Sequence, residues 1–166
     1  MKKFIHLLPI LMLALIMGAC GDSETMKQLD GTWQTEMTEH ESGETLNMLM
    51  TMQLDEASAS GNIKMDVSTS SVDDFFTVTV PVKKWSATSS EISMELDDEN
   101  IQVAFSDAFK EIASISDASL PALEKEMQKE MKKEISGFAK STIKDLTDQS
   151  FTIVENGSDV VFKRVK

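Results

Sequence analysis

The stretch LNMLMTMQLD, residues 46–55, decides how the rest of the chain is read. Leu46, Met48, Met50, Met52 and Leu54 fall on one side of an extended backbone. Asn47, Thr51, Gln53 and Asp55 fall on the other, and Leu49 is the exception. Successive strand side chains point to opposite faces, so this period of two marks a strand with one buried face. The same beat returns in NIKMDV (Ile63, Met65, Val67), FFTVTVPV (Phe76, Val78, Val80, Val82), EISMEL (Ile92, Met94, Leu96) and IQVAF (Ile101, Val103, Phe105). Turn-forming residues separate the runs: Ser42-Gly43, EASASGN, DDEN and Asn156-Gly157. Asn-Gly is the strongest of these, because both central residues of a type I′ turn need positive φ. Short strands joined by short loops predict an antiparallel meander. About six strands are expected from Gly31 to Ser106 and two more from Gln149 to Val165.

One segment changes the period. SLPALEKEMQKEMKKEISGFAKS, residues 119–141, places Leu120, Leu123, Met127, Met131, Ile135 and Phe138 on one stripe of an amphipathic helix. Ser119 is placed to cap it, Pro121 is tolerated in its first turn, and Gly137 weakens its last turns. Glu126 with Lys129 and Glu130 with Lys133 form i,i+3 pairs on the wet side. A shorter helix is expected in DAFKEIASI before it. The stripe either packs on the chain's own sheet or serves as a lid or partner-binding face; a one-sided helix has its own sheet nearest.

The first residues answer a different question. Lys2 and Lys3 precede an apolar run from Phe4 to Met17, broken by His6 and Pro9. That run is shorter than the roughly 20 residues a membrane-spanning helix needs, and it has the form of a cleaved export signal. It ends in Met17-Gly18-Ala19-Cys20, and Cys20 is the sole cysteine, with no disulfide partner. These four residues resemble the lipobox of bacterial lipoproteins, which usually reads Leu-Ala-Gly-Cys; here Met stands for Leu and the small residues are exchanged. The resemblance implies cleavage before Cys20, diacylglycerol on its sulfur and a further acyl chain on the new amino terminus. One acyl chain binds a bilayer marginally, whereas two or three hold for good. The expected division is a signal peptide over 1–19, a lipidated tether over 20–29 and a domain over 30–166 with a helical insertion at about 107–142.

Charge and composition narrow the function. The sequence carries −12, and loss of Lys2 and Lys3 with the signal leaves the rest two units more negative. Such a surface repels nucleic acid and anionic headgroups, so attachment to a bilayer falls to the acyl chains and no nucleic-acid partner is expected. Without the signal the chain has one His (His40), one Arg and no Tyr. A Cys/His zinc site is excluded, and a Ser-His-Asp triad would depend on His40, within a polar Glu-His-Glu turn. Asp97-Asp98-Glu99 and Asp73-Asp74 read as solvated hairpin tips, lacking the spacing and Gly of an EF-hand loop. No enzyme, metal or cofactor is expected beyond the covalent lipid on Cys20.

Three stretches carry a second resemblance. LDGTWQTEM, with Gly31 and Trp33, is similar to the opening of lipocalin-like domains, whose first strand carries Gly-x-Trp. KKWSATSSEISMEL, with Trp85, resembles the mid-domain Trp strand and following hairpin of small bacterial lipocalin-like lipoproteins. IKDLTDQSFTIVENGSDVVFKRV resembles their closing hairpin. Together they cover roughly 29–106 and 143–165. The resemblance implies a mainly β, eight-stranded antiparallel barrel of calycin type, and it places Arg164, the only arginine, over Trp33 as a cation–π contact. The helix before the last hairpin departs from the family, whose helix follows the last strand.

An eight-stranded barrel is just wide enough to fill with side chains or to hold one small ligand. One reading is therefore a carrier of a small apolar molecule, with Met48, Met50, Met52, Met65, Val78, Val80, Met94 and Val103 facing it; methionine adapts to irregular guests and equally plugs gaps in a filled core. The other reading is a solid-core anchored module that binds another envelope protein. The lipobox places the chain in a bacterial envelope, and Gly21 after the cysteine, where enteric inner-membrane lipoproteins carry Asp, points to the outer membrane.

Overall fold

The computed structural model describes residues 22–41, 44–134, 138–155 and 158–165. The lipobox-like residues ending in Cys20, the Ser42-Gly43 and Asn156-Gly157 pairs expected to form turns, and Ile135 and Gly137 of the expected helix lie outside the described residues. Nine strands and three helices are described: α1 (Ser23–Leu29), β1 (Gly31–Glu41), β2 (Glu44–Asp55), β3 (Ser60–Thr69), β4 (Phe76–Thr88), β5 (Glu91–Leu96), β6 (Gln102–Phe105), α2 (Asp107–Ile112), α3 (Leu120–Glu134), β7 (Phe138–Lys144), β8 (Ser150–Glu155) and β9 (Ser158–Arg164). All pairings are antiparallel.

The strands run β3-β2-β1-β9-β8-β7-β5-β4, and β4 returns to β3. β6 stands on the same side of β4 as β5: Thr88 to Val82 pair with β5, and Thr79 to Phe76 pair with β6. The two therefore follow each other along one wall position, and the ring closes through eight positions. The result is an eight-stranded antiparallel meander barrel with α2 and α3 inserted before the C-terminal strands, a fold consistent with the calycin type.

The period-two residues meet across the ring in layers. Trp33, Met52, Ile63 and Val80 are successive partners in register. Thr35, Met50, Met65, Val78 and Val103 form the next layer, and Met37, Met48, Val67, Phe76 and Phe105 the one beyond. This is the alternation of a one-sided strand repeated on neighbours, so that one inner face becomes one core. Trp33, Trp85, Phe151 and Phe162 fill the end nearest α1. Phe151 meets the Trp33 ring edge-on at 4.9 Å and stacks on Phe162 at 5.2 Å.

Three expectations are corrected. The helix was expected to continue through Phe138 to Ser141, but Phe138–Lys144 is β7, paired with β5 over 91–95. Gly137 is a poor helix residue, and the exposed edge of β5 outweighs the residual helical spacing beyond it. DDEN is not a hairpin tip: β5 and β6 run in the same direction along β4, and residues 97–101 form a jog between them. Asp97 N–H donates to Pro81 O at 2.8 Å there, beside a register shift between Val82 and Lys84. His40 belongs to β1 opposite Thr45, not to a turn.

The polar segment drawn as a tether is, from Asp22 onward, part of the fold. Asp22 accepts from Glu24 N–H as N-cap of α1 and its own N–H donates to Ala87 O at 2.7 Å. Leu29 is fully buried. The α3 stripe packs on the barrel: Met131 is buried in the core, and Leu120, Leu123 and Met127 lean on it. Of the two i,i+3 pairs, Glu130 and Lys133 meet at 2.6 Å. α2, capped by the Ser106 hydroxyl accepting from Phe109 N–H, inserts Phe109 against Phe105 and Phe75. α3 lies against β6, which among the described residues has no ladder partner besides β4.

Candidate functional site

Two places bring the singled-out residues together. The first is the clasp at the α1 end. Gly31 has φ +119°, a conformation L side chains avoid, and a Cβ there would stand 2.6 Å from Arg164 Nη1. Glycine is thus required both by the backbone and by the arginine lying on it. The Arg164 guanidinium sits 4.1 Å from the Trp33 ring centroid, as the resemblance implied. Its Nε donates to Asp148 O at 2.8 Å, Nη1 to Asp30 O at 2.6 Å and Nη2 to Gln28 O. Trp33 Nε1 donates to Leu29 O at 2.7 Å. Helix-end carbonyls lack intrahelical partners; here the C-terminal turn of α1 is satisfied by the signature pair. Trp85 plays a smaller part of the same kind, with Nε1 donating to Asp55 O at 3.1 Å. The contacts of Gly31, Trp33 and Arg164 join β1, β9 and the end of α1, and Trp85 ties β4 to the end of β2.

The second place is the seam between β1 and β9. β1 pairs with β9 only at Trp33 with Arg164 and Gln34 with Lys163, the two strands being tied further by Val165 N–H to Thr32 O at 2.8 Å. Beyond these, the edges of β1 over Thr35–Glu41 and of β9 over Ser158–Phe162 have no ladder partner among the described residues. A groove of about 620 Å³ opens there, lined by Gln34, Thr35, Glu36, Met37 and Leu49 on one side and by Asp159, Val160, Val161 and Lys163 to Val165 on the other. Strand parity sorts the lining. Thr35, Met37 and Val160 share the inward parity of Trp33 and Phe162 and form the floor. Glu36, Leu49, Asp159 and Val161 face outward and form the walls. Leu49, the exception in its strand's alternation, finds its place here. Val161 is 47 % exposed and Val165 40 %.

The eight residues proposed to face a ligand are all buried in a single core cluster. They face one another as the register layers describe, with Met94 opposite Trp85, and none of them lines the seam groove. The floor residues Thr35 and Met37 are the register partners of Met50 and Met48, so the groove backs directly onto the methionine layers.

The polar candidates are dispersed. His40 Nδ1 lies 3.0 Å from Thr45 Oγ1, exposed on β1. Asp97 pairs with Lys83 at 3.2 Å, and Asp98 and Glu99 lie 3.8 and 3.9 Å from Lys132. Among the described residues no three His, Cys, Asp or Glu side chains are grouped to hold a metal ion, and no helix is long and apolar enough to cross a membrane. The seam had one sequence signal that went unread: Leu49 and Val161 are apolar at outward positions. No protein-family model and no curated protein matches this sequence.

Proposed function

We propose that this chain is a lipid-anchored protein of the bacterial envelope, without catalytic activity, that works as a binding module and engages another envelope protein at the β1–β9 seam. The observation that carries the reading is the groove itself, where two neighbouring strand edges are left unpaired over an apolar floor. Sites for small molecules are usually concave and bury most of the ligand. This groove is only partly enclosed, which suits a macromolecular partner. Anchoring follows from the lipobox-like residues ending in Cys20, and an outer-membrane address from Gly21.

The seam is tested with a photo-crosslinking residue at Val161 and, as a control, at exposed Gln53 on β2. A discrete envelope-protein adduct at Val161 alone supports the reading; equal adducts at both positions, or none at Val161, refute it. Anchoring is tested by fatty-acid labelling in cells, which Cys20→Ser should abolish while moving the protein to the soluble fraction.

A second reading is favoured by the continuity of the groove floor with the methionine layers: a small apolar molecule lodged among Met48, Met50, Met52, Met65, Val78, Val80, Met94 and Val103. Native mass spectrometry decides it. A bound mass that solvent removes and Met50→Trp abolishes would establish a carrier.

A further inference from the structure

Resting on the binding-module reading, we propose what the groove takes: an extended segment of a partner, alternating apolar and basic side chains, that adds as a strand along the open edge of β1 at Thr35–Glu41. On an antiparallel strand the backbone N–H and C=O groups of alternate residues point to each side. β2 uses one side of β1 along its whole length, whereas β9 uses the other only at its start. The remaining seven residues offer a template about 23 Å long at roughly 3.3 Å per residue, and strand addition to such an edge is a recurring mode of peptide recognition.

Strand parity dictates the side chains. A residue of the added strand on the inward side lies over Met37 and Val160, which are half-buried and packed against the core. Its neighbours on the outward side lie beside Glu36 and Val161. Glu36 has no ion-pair partner among the described residues, while Asp159 across the groove is held by Lys144 at 2.7 Å. Arg164 at the closed end is engaged by the carbonyls of Gln28, Asp30 and Asp148. Lys163, exposed opposite Gln34 where the two strands still pair, adds to the positive charge of Arg164 at the closed end of the groove, whereas the open edge of β1 beyond it carries Glu36 and Glu39 and no Lys or Arg, on a chain of net −12. Opposite charges directly across a strand pair are stabilising and like charges are not. A second copy would bring another acidic β1 edge against this one, which selects a basic partner over self-association.

The test uses the full chain in detergent micelles, with peptide bound to empty micelles subtracted. Four labelled, end-blocked heptapeptides are compared: alternating Val and Lys; the same residues in two blocks; the alternating sequence N-methylated along one edge; and alternating Val and Glu. Binding is read by anisotropy, and its location by hydrogen exchange. The alternating Val/Lys peptide should bind about tenfold tighter than the blocked and N-methylated forms, since losing one or two net hydrogen bonds is worth about that factor. It should also slow exchange within residues 35–41. Glu36→Lys should weaken it about fivefold, the upper range for a cross-strand charge pair, and improve the Val/Glu peptide. Equal binding of all four peptides, protection elsewhere, or no binding overturns the inference. If the Val161 adduct forms nonetheless, the binding-module reading stands and only strand addition falls; without the adduct both fall.

Discussion

Replacing Arg164 tests the reasoning at the clasp most directly. Arg164→Ala removes three hydrogen bonds from a charged group to the carbonyls of Gln28, Asp30 and Asp148, and the cation over Trp33. Charged hydrogen bonds contribute about 1.5–3 kcal/mol each when well shielded. Arg164 is only half-buried, and water can reach the freed carbonyls, so about 1 kcal/mol each is the appropriate scale. The cation–π contact adds about 1 kcal/mol. The expected loss is then about 3–4 kcal/mol, or about 10 °C in Tm at the roughly 2–4 °C per kcal/mol of a domain this size. Arg164→Lys keeps the charge but not the planar fork that reaches three carbonyls at once, and should recover less than half of the loss. The assays are thermal and urea unfolding by circular dichroism, with hydrogen exchange across α1. A Tm drop under about 2 °C for Arg164→Ala, full recovery by Arg164→Lys, or unchanged exchange in α1 would refute the clasp.

Further outcomes follow from neighbouring features. Gly31→Ala places a Cβ against Arg164 at φ +119° and should destabilise by about 2–4 kcal/mol; in a double-mutant cycle with Arg164→Ala the penalty should shrink, and strict additivity would remove the clash as its cause. Met50→Ala in the buried core should lose about 2–5 kcal/mol and Met50→Leu under about 1.5 kcal/mol, measured by urea unfolding; a neutral Met50→Ala would mean that the site is not tightly packed. The Asn100 amide donating to Asp97 at 2.6 Å, and after it Lys83 beside it, hold the Asp97 carboxyl below its usual range, against the opposing effect of burial. Lys83 Nζ lies 3.2 Å from Asp97 Oδ1. A depressed carboxylate stabilises fully above its ordinary pKa of about 4 and loses that contribution as pH falls through the lowered value. Asn100→Ala should therefore raise the Asp97 titration midpoint followed by carboxyl ¹³C shifts and make the protein unfold at a higher pH on acidification; an unmoved midpoint would contradict this.

How far the sequence could be read depended on the range of the interactions. The Met-rich alternation of residues 46–55 and the Val-rich one of 76–82 are local signals, and both strands appear with the inner face expected. The Gly31, Trp33 and Arg164 set was legible only through the resemblance to lipocalin-like domains, since no local pattern brings the last strand to the first. β7 was hidden because Phe138 fell on the spacing of the α3 stripe, and only the long-range demand of the β5 edge resolves it. α1 was hidden because seven residues carry too little periodicity, and its burial rests on Leu29, with Met26 and Thr25 beside it, and on the clasp. The jog at 97–101 has the sequence of a hairpin tip, because turn residues do not say whether the chain reverses or steps sideways. The seam leaves almost no trace in sequence, since it depends on how far two strands stay in register.

The clasp also sets an order in time. Arg164 and its carbonyl partners at Asp30 and Gln28 lie 134 and 136 positions apart. Closing a loop of that length costs about 4 kcal/mol of chain entropy beyond a constant, and no local turn brings the partners together. β9 follows all eight other described strands, so on a growing or threading chain the ring has no keystone until its last segment arrives. Until then β1 and β8 each expose an edge, and the intermediate is the species most open to chaperones, proteases and mispairing. Slow, late closure is what a meander locked by sequence-distant strands should display.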